Sequence, residues 1–282
     1  MPLWYDETFE DESRFGLRVS KILFARQSEY QFVEVLDTPQ HGLTLVIDGI
    51  FMTSEHDEHF YHEMLVHPAM VTAPAAKRVL VIGGGDGASV RTILKHPGVE
   101  RVVMVEIDAC VVEACKEHMP SLGAWDDPRL ELIIGDGIDY VKHAEVEPFD
   151  VVFLDGTDPV GPGEGLFNRD FFLGAKRVLA PGGVFAMQSE SPILTNRLFL
   201  EIVKTLRSIF RRADPYFGPV PLYAAGIWSW LYASDSADPM AIDEARLARI
   251  EEGCKYYNAE IHRASFALPN RLRRQLAELK TE

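Results

Sequence analysis

Residues 77–88 read KRVLVIGGGDGA, a short apolar run followed at once by a cluster of glycines. An apolar run without polar alternation is typical of a strand that is buried on both faces of a parallel sheet. Similar runs follow along the chain at 101–105, 130–134, 149–154 and 184–188, and further strands are predicted at 213–217 and 227–233. Because helical sequence alternates with the first five runs, we predict a doubly wound, mostly parallel α/β sheet.

The first sixty residues predict short antiparallel strands. Four stretches have strand character: 18–24, 30–36, 43–47 and 50–53. The last two flank Asp48 and Gly49, and an Asp-Gly pair between strands predicts a two-residue hairpin turn. A helix is predicted over 57–72. We therefore predict two domains, a small N-terminal β-strand domain with a linking helix at 1–73 and the α/β domain at 74–282.

The composition favours a small cationic ligand over a polyanion. The chain has 282 residues with 28 Lys plus Arg against 43 Asp plus Glu, a formal net charge of −15. Such a charge opposes binding to DNA or RNA and attracts cations. Three cysteines without a CxxC pair indicate a reducing compartment, and no apolar run is long enough to cross a bilayer. We expect a cytoplasmic protein that binds neither nucleic acid nor a membrane.

Every predicted strand at the centre of the α/β domain is followed by an acid. Asp86 lies in the glycine cluster, Glu106 ends the second strand, Asp136 follows the third, and Asp155 and Asp158 follow the fourth. Ligands of open parallel sheets bind beyond the carboxyl ends of the strands. The sequence therefore predicts an acidic binding edge without a Lys or Arg.

The glycine cluster and the acid after it predict a nucleoside site. Gly83, Gly85 and Ala88 fit the G-x-G-x-x-A pattern, and Glu106 lies 21 positions after Gly85. This acid is well placed to accept the ribose hydroxyls. Asp86 within the loop would repel a pyrophosphate. A cationic nucleoside such as an S-adenosyl sulfonium compound fits better, and class I methyltransferase-like folds use this arrangement.

Asp155 and Asp158 precede a loop that is dense in Gly and Pro, at 156–163. Near a bound sulfonium, such a carboxylate pair has the chemistry to hold an ammonium group and to remove its proton. The Asp-Pro-Val sequence that starts at Asp158 lacks the Pro-Pro-aromatic pattern typical of nucleobase methyltransferases. Helix capping alone would explain Asp108 or Asp136, but it does not explain the whole set of acids.

Together these stretches resemble the polyamine aminopropyltransferase, or spermidine synthase, family. The resemblance runs from Trp4 to about Pro269 and rests on LVIDG at 45–49, YHEM at 61–64, VIGGGDG at 81–87, VEID at 105–108, DDPR at 126–129, DGTDPVGP at 155–162, YYN at 256–258 and ASFALP at 264–269. The family transfers the 3-aminopropyl group of decarboxylated S-adenosylmethionine to an amine, usually putrescine, and releases methylthioadenosine and spermidine. The donor is a co-substrate, so no cofactor is implied.

The resemblance also implies roles for individual residues. Asp155 would be the base that takes the proton from the attacking amine, and Asp158 and Tyr61 would hold the amines. Asp86 would bind the aminopropyl ammonium of the donor, and Glu106 would bind its ribose. These residues are the predicted catalytic centre and its donor contacts.

The remaining implied positions line the binding cleft. They are, for the donor, Gln31, Gly83, Gly85, Asp136, Gly137 and Pro162, and, for the acceptor, His62, Gln188 and Tyr223. No metal is implied, and His62 and His67 are five positions apart, which does not fit the His-Glu-x-x-His spacing of zinc sites. The N-terminal strands would form homodimers or homotetramers and part of the acceptor cleft.

Two departures from the family pattern bear on the acceptor. Met52 stands where many members have Gln, and the segment around Leu222 is more apolar than usual. Putrescine is expected, with cadaverine, agmatine and spermidine as alternatives.

A small-molecule S-adenosylmethionine methyltransferase should show a polar or cationic group for the donor carboxylate where this chain has Asp86. A nucleoside-binding protein without activity should have lost Asp155 or Asp158.

Overall fold

The structure is a computed structural model that describes residues 3–9, 13–143, 145–159 and 161–279, without the side chain of Pro162. The strands are β1 Leu3–Phe9, β2 Ser13–Val19, β3 Lys21–Gln27, β4 Phe32–Thr38, β5 Gly42–Ile47, β6 Ile50–Ser54, β7 Arg78–Gly83, β8 Arg101–Glu106, β9 Leu130–Ile134, β10 Phe149–Asp155, β11 Leu179–Gln188, β12 Arg212–Pro219 and β13 Ile227–Ser234. The α-helices are α1 Glu58–Met70, α2 Ala88–Leu94, α3 Ala109–His118, α4 Gly137–His143, α5 Arg169–Arg177, α6 Asn196–Arg207, α7 Glu244–Ala248, α8 Ala259–Ser265 and α9 Asn270–Glu278.

The large sheet has seven strands in the order β12-β13-β11-β10-β7-β8-β9. Strands β11, β10, β7, β8 and β9 are parallel, whereas β13 runs antiparallel to both β11 and β12. The order reverses beside β7, because β8 and β9 lie on one side of it and β10 and β11 on the other. Such a reversal is where open α/β sheets bind their ligands.

Helices cover both faces of this sheet, which explains its uninterrupted apolar strands. Along β7, Val79 and Val81 pack into one core together with Met64 of α1. Leu80 and Ile82 pack into the opposite core together with residues of α5 and α6. Successive side chains of a strand point to opposite faces, so a strand covered on both sides needs apolar residues at every position.

The N-terminal region forms a four-stranded antiparallel sheet, β3-β4-β5-β6, and a separate β1-β2 hairpin. The predicted continuous strand at 18–24 is wrong: the chain bends at Ser20, whose N–H donates to Asp37 O, and β2 and β3 join different sheets. The predicted hairpin turn is confirmed, since Asp48 and Gly49 both have positive φ, 48° and 85°.

Helix α1 connects the two regions. It packs against α2 and against strands β10 to β13 of the large sheet. The Arg246 guanidinium donates to the carbonyls of Met70, Ala73 and Pro74 and so fastens the chain after α1. The domain boundary at residue 73 stays a prediction, because α1 contacts the large sheet although it was assigned to the N-terminal domain. Among the described helices none is long and apolar enough to span a membrane.

Candidate active site

The glycine loop after β7 lies directly against the end of β10. Gly84 N donates to Asp155 O at 2.8 Å. Gly83 has a φ of 81°, and a Cβ there would lie 2.3 Å from the same carbonyl. Only glycine satisfies both conditions. This close approach places the Asp86 loop and the Asp155 side chain at the edge of one cavity.

The first cavity has a volume of about 120 Å³ and collects most of the predicted donor residues. Its described lining includes Gln31, Gly83, Gly85, Asp86, Glu106, Asp136 and Gly137, together with Tyr61, His62, Asp155 and Tyr223. No Lys or Arg belongs to this described lining. The structure thus brings together acids from four strand ends, as the sequence predicts, in a cavity suited to a cation.

Glu106 is positioned at the bottom of this cavity. Its Oε1 accepts a hydrogen bond from Asp108 N at 2.9 Å, and a Cβ on Gly85 would lie 3.0 Å from its Oε2. Burial raises the pKa of Glu106 to about 7. Asp108 caps α3 by accepting from Cys110 N, so helix capping accounts for Asp108. Asp136 is more exposed and accepts from Ile138 N.

Asp155 is held from two sides. Tyr61 Oη donates to its Oδ1 at 2.9 Å, and Ser89 Oγ donates to its Oδ2 at 2.6 Å. Burial raises the pKa of Asp155, and the charge of His62 and the two hydroxyl donors offset this only in part. A carboxylate with a raised pKa accepts a proton more readily, which suits a general base. Ser89, the second residue of α2, was not predicted from the sequence.

His62, predicted among the acceptor contacts, lines the first cavity instead. Its Nε2 lies 3.3 Å from Asp86 Oδ2, and its Nδ1 lies 3.1 Å from Glu58 Oε2. One side-chain atom each of His62, Asp86 and Asp155 lies within 4.8 Å of the other two. The imidazole is therefore part of the same charged cluster as the two aspartates.

A second cavity of about 90 Å³ adjoins the first. Three of the predicted acceptor residues, Asp158, Gln188 and Tyr223, line it. Tyr61 and Met52 line both cavities, as do Gly156, Thr157 and Tyr223. The two cavities therefore share a wall built from the end of β6, from α1 and from the loop after β10.

The second cavity holds two acids that the sequence reasoning missed. Glu190 lies beside Asp158, and burial followed by the charge of Asp158 raises the pKa of Glu190 to about 9. Glu190 has a φ of 71°, which is rare for a residue other than glycine. Glu7 of β1 lines the cavity from the N-terminal side. Glu190 follows β11 by two residues, so the pattern of acids after strands could have identified it.

The two departures from the family pattern have different surroundings. Met52 lines both cavities, and its carbonyl accepts from Tyr223 Oη at 3.0 Å. Leu222 packs in an apolar core with Val46 and Phe51, so it acts on the acceptor cavity only through packing. The predicted donor contact of Pro162 falls on a side chain outside the described part of the chain.

The order of strands in the large sheet and the acidic cavity at its reversal define a methyltransferase-like fold. Comparison with known proteins extends this. The spermine/spermidine synthase domain matches residues 58–243, and the spermidine synthase tetramerisation domain matches residues 3–55. The chain belongs to the spermidine synthase, or polyamine aminopropyltransferase, family, which confirms the sequence resemblance and makes it a transferase of polyamine biosynthesis.

Similar proteins cover almost the whole chain. A polyamine aminopropyltransferase of Thermoanaerobacter sp. (strain X514) is 43% identical over 95% of this chain and 96% of its own length. One from Prochlorococcus marinus (strain MIT 9313) is 44% identical, with 97% and 96% covered. Spermidine synthase from Thermotoga maritima superposes with a TM-score of 0.93 at 35% identity, with 98% and 96% covered. A spermidine synthase crystallised with the transition-state analogue AdoDATO gives 0.94 at 35% identity, with 98% and 97% covered.

Proposed function

We propose that this protein transfers the 3-aminopropyl group of decarboxylated S-adenosylmethionine to putrescine, giving spermidine and methylthioadenosine. The observation that carries the proposal is Asp155, which lines the first cavity and is held by Ser89 and by Tyr61, a residue that lines both cavities. The first cavity suits the donor, which has an ammonium and a sulfonium but no carboxylate. The second suits an alkylamine.

Each cavity supplies carboxylates for the cationic ends of its substrate. In the first, Asp86 would bind the donor ammonium and Glu106 the ribose, while Asp136 at the rim would receive the adenine amino group. In the second, Asp158 and Glu190 lie together and would bind the remote ammonium of putrescine. This arrangement leaves the near amine of putrescine beside Asp155.

The reaction is an in-line displacement. An alkylamine has a pKa of about 10, so it must lose a proton before its nitrogen can attack. Asp155 takes this proton. The nitrogen lone pair then forms a bond to the methylene next to sulfur, the carbon–sulfur bond breaks, and its electron pair returns to sulfur as the thioether of methylthioadenosine. Positioning and deprotonation supply the catalysis, and no metal or cofactor takes part in the proposed reaction.

Product analysis by mass spectrometry tests the proposal. Purified protein receives decarboxylated S-adenosylmethionine with putrescine, cadaverine, agmatine or spermidine. We expect methylthioadenosine with every accepted amine, and fastest with putrescine. Faster turnover of another amine would leave aminopropyl transfer in place, and the choice of acceptor would then be assigned to Met52 and the wall that the two cavities share. No methylthioadenosine with any amine would refute aminopropyl transfer, and methylation of an amine by S-adenosylmethionine would then be tested.

Asp155→Asn is the matched variant for the catalytic step. The amide keeps the size of the side chain but cannot take the proton, so turnover should fall by about 10²–10⁴-fold. Binding of methylthioadenosine, measured by calorimetry, should change little because its ribose and adenine are assigned to Glu106 and Asp136, which the variant keeps. Near-normal turnover of the variant would remove Asp155 from the role of base.

A further inference from the structure

Four charged side chains of alternating sign form a chain that ends in the donor cavity. Arg91 Nη2 lies 2.7 Å from Glu58 Oε1, Glu58 Oε2 lies 3.1 Å from His62 Nδ1, and His62 Nε2 lies 3.3 Å from Asp86 Oδ2. Glu58 and His62 are only 5% and 2% exposed. Of these four residues, sequence reasoning had identified only His62 and Asp86, both as substrate contacts.

Both ring nitrogens of His62 face acceptors. Nδ1 faces the Glu58 carboxylate and also the Glu58 carbonyl at 2.9 Å, and Nε2 faces Asp86. A carboxylate only accepts hydrogen bonds, so satisfying both sides requires a proton on each nitrogen, which is the imidazolium form. A neutral ring would leave one nitrogen lone pair directed at a carboxylate.

The other groups around His62 agree with this charge state. Asp155 adds a further nearby carboxylate, and the Tyr61 ring packs against the imidazole edge at 5.0 Å between centroids. Arg91 is paired with Glu58 and lies beyond it. Burial alone would lower the pKa of His62, but Asp86 and Glu58 raise it well above its ordinary value.

Glu58 is itself fixed in the ionised form. Burial would raise the pKa of Glu58, but the hydrogen bond and charge of His62 and the charge of Arg91 lower it to about 2. Arg91 stays paired with Glu58 when Nε2 loses its proton, so Glu58 keeps one cation partner while its other oxygen accepts from Nδ1. The Nε2 proton is therefore the one that can leave when another hydrogen-bond donor binds Asp86.

We propose that Glu58 is a positioning residue that keeps His62 doubly protonated in the empty site, so that the donor ammonium expels one proton from His62 when it binds Asp86. The inference rests on the proposed function, in which Asp86 receives that ammonium. The ammonium N–H replaces Nε2–H on Asp86, the Nε2 proton passes to solvent, and Nδ1–H stays on Glu58. The ammonium brings one positive charge to Asp86 as the imidazolium loses one, the sulfonium adds a second charge to the cavity, and Nε2 becomes an acceptor for the ammonium.

The 5′-dimethylsulfonium analogue of methylthioadenosine isolates this effect, because it has the adenosine and the sulfonium of the donor but no ammonium, and it should behave as methylthioadenosine does, which lacks both charges. Donor binding should release a proton and methylthioadenosine binding should not. Since the donor complex holds one proton fewer, donor affinity relative to methylthioadenosine should rise with pH by up to about tenfold per pH unit below the pKa of His62, and level off above it.

Isothermal titration calorimetry in two buffers of different ionisation enthalpy measures the protons exchanged. Near neutral pH we expect release of about one proton per decarboxylated S-adenosylmethionine bound, and none for methylthioadenosine. His62→Gln should abolish the release. Glu58→Gln should move the pH dependence of the affinity ratio to lower pH, since one of the two carboxylates is lost. His56→Gln replaces an exposed histidine outside the chain of charges and should change neither result.

Equal proton release for the two ligands, or undiminished release by His62→Gln, would overturn the proposal. Methylthioadenosine binding by each variant shows that its cavity is folded, so loss of release cannot be mistaken for unfolding. An unchanged pH profile in Glu58→Gln would limit Glu58 to a structural role. If the wild type forms spermidine yet releases no proton on donor binding, this inference fails while the proposed function stands.

Discussion

Asp158 and Glu190 form a carboxyl pair that shares a proton when no amine is bound. Two adjacent buried carboxylates cannot both ionise easily, which is why burial and Asp158 together raise the pKa of Glu190 to about 9. Near neutral pH the pair therefore carries about one negative charge. An incoming ammonium would replace the shared proton.

Replacing Glu190 by Gln should stabilise the substrate-free protein in alkaline solution. The pKa of Glu190 rises from 4.5 to about 9 on folding, so its contribution to stability is fully present below 4.5 and is lost as pH rises towards 9. Glu190→Gln removes that loss and still donates to Asp158. Between about pH 8 and 9 we expect a gain of at least about 2 kcal/mol, or roughly 4 °C or more in melting temperature, with little gain near pH 5.

Melting curves recorded by circular dichroism across this pH range provide the measurement. Glu164→Gln is the matched control, because Glu164 is an exposed acid near the same cleft. If the wild type and the Glu190→Gln variant lose stability in parallel as pH rises, the interpretation that the pair shares a proton is contradicted.

The acids among the predicted site residues came from one rule, that acids after parallel strands share an edge, whereas the other predicted positions came from the family resemblance. The rule placed Asp86, Glu106, Asp136 and Asp155 correctly around one cavity. Applied to the end of β11, it also gives Glu190. Glu58 could not be found in this way, because it lies at the start of a helix and reaches the site only through packing against His62 and Arg91.

At the scale of elements, helix α1 joins the site to the C-terminal part of the chain. Tyr61 and His62 face the cavities, and the next residue, Glu63, is 1% exposed on the far side. Its carboxylate accepts from the backbone N–H groups of Lys255, Tyr256 and Tyr257 at 2.8–2.9 Å. This contact explains why a buried acid is present in an otherwise largely apolar helix face.

Glu63→Gln should destabilise the fold by about 2–4 kcal/mol, because the amide NH₂ would face backbone donors and lose charge-assisted bonds. Urea unfolding of substrate-free protein measures the change. Glu260→Gln, at an exposed position of α8, should stay within about 0.5 kcal/mol of the wild type. Equal midpoints for the two variants would show that Glu63 does not anchor the segment.

The central strands were predictable because each is an uninterrupted apolar run, and β7 to β10 lie within a residue or two of their predicted bounds. Strand β11 was predicted only from 184, yet it begins at Leu179 and passes through Pro181, Gly182 and Gly183. Leu179 pairs with Phe149 of β10 and the pairing resumes only at Val184, so the residues between them form an irregularity in the strand, in which Gly182 has a φ of 78°. The opposite error occurs at Ser20, where the sequence predicts one continuous strand but the chain passes from one sheet to another.

At the scale of the whole molecule, the N-terminal strands carry exposed apolar side chains. Leu3 and Trp4 of β1 are 50% and 58% exposed, and Ile22 of β3 is 43% exposed. The family match over 3–55 to a tetramerisation domain supports assembly through this region. We infer that copies of the chain associate there as a dimer or tetramer and cover these side chains.

Light scattering after size-exclusion chromatography tests the assembly. We expect the wild type at a multiple of 31.7 kDa and a smaller average mass for Trp4→Ser, because burial of the indole is lost. Met240→Ser removes an equally apolar side chain, 45% exposed, from outside the N-terminal strands and should leave the mass unchanged. A monomeric wild type at micromolar concentration would contradict the assembly.

Strand β1 bears Trp4 on one face and Glu7 on the other, and Glu7 lines the second cavity. An amine held against Glu7 restrains the same seven residues that association would restrain. If assembly raises the affinity for the amine by some factor, then bound amine must raise the association constant of assembly by the same factor. Dilution of the enzyme should then weaken its affinity for the acceptor more than its affinity for the nucleoside, whose cavity is formed mainly by the strand ends of the other sheet.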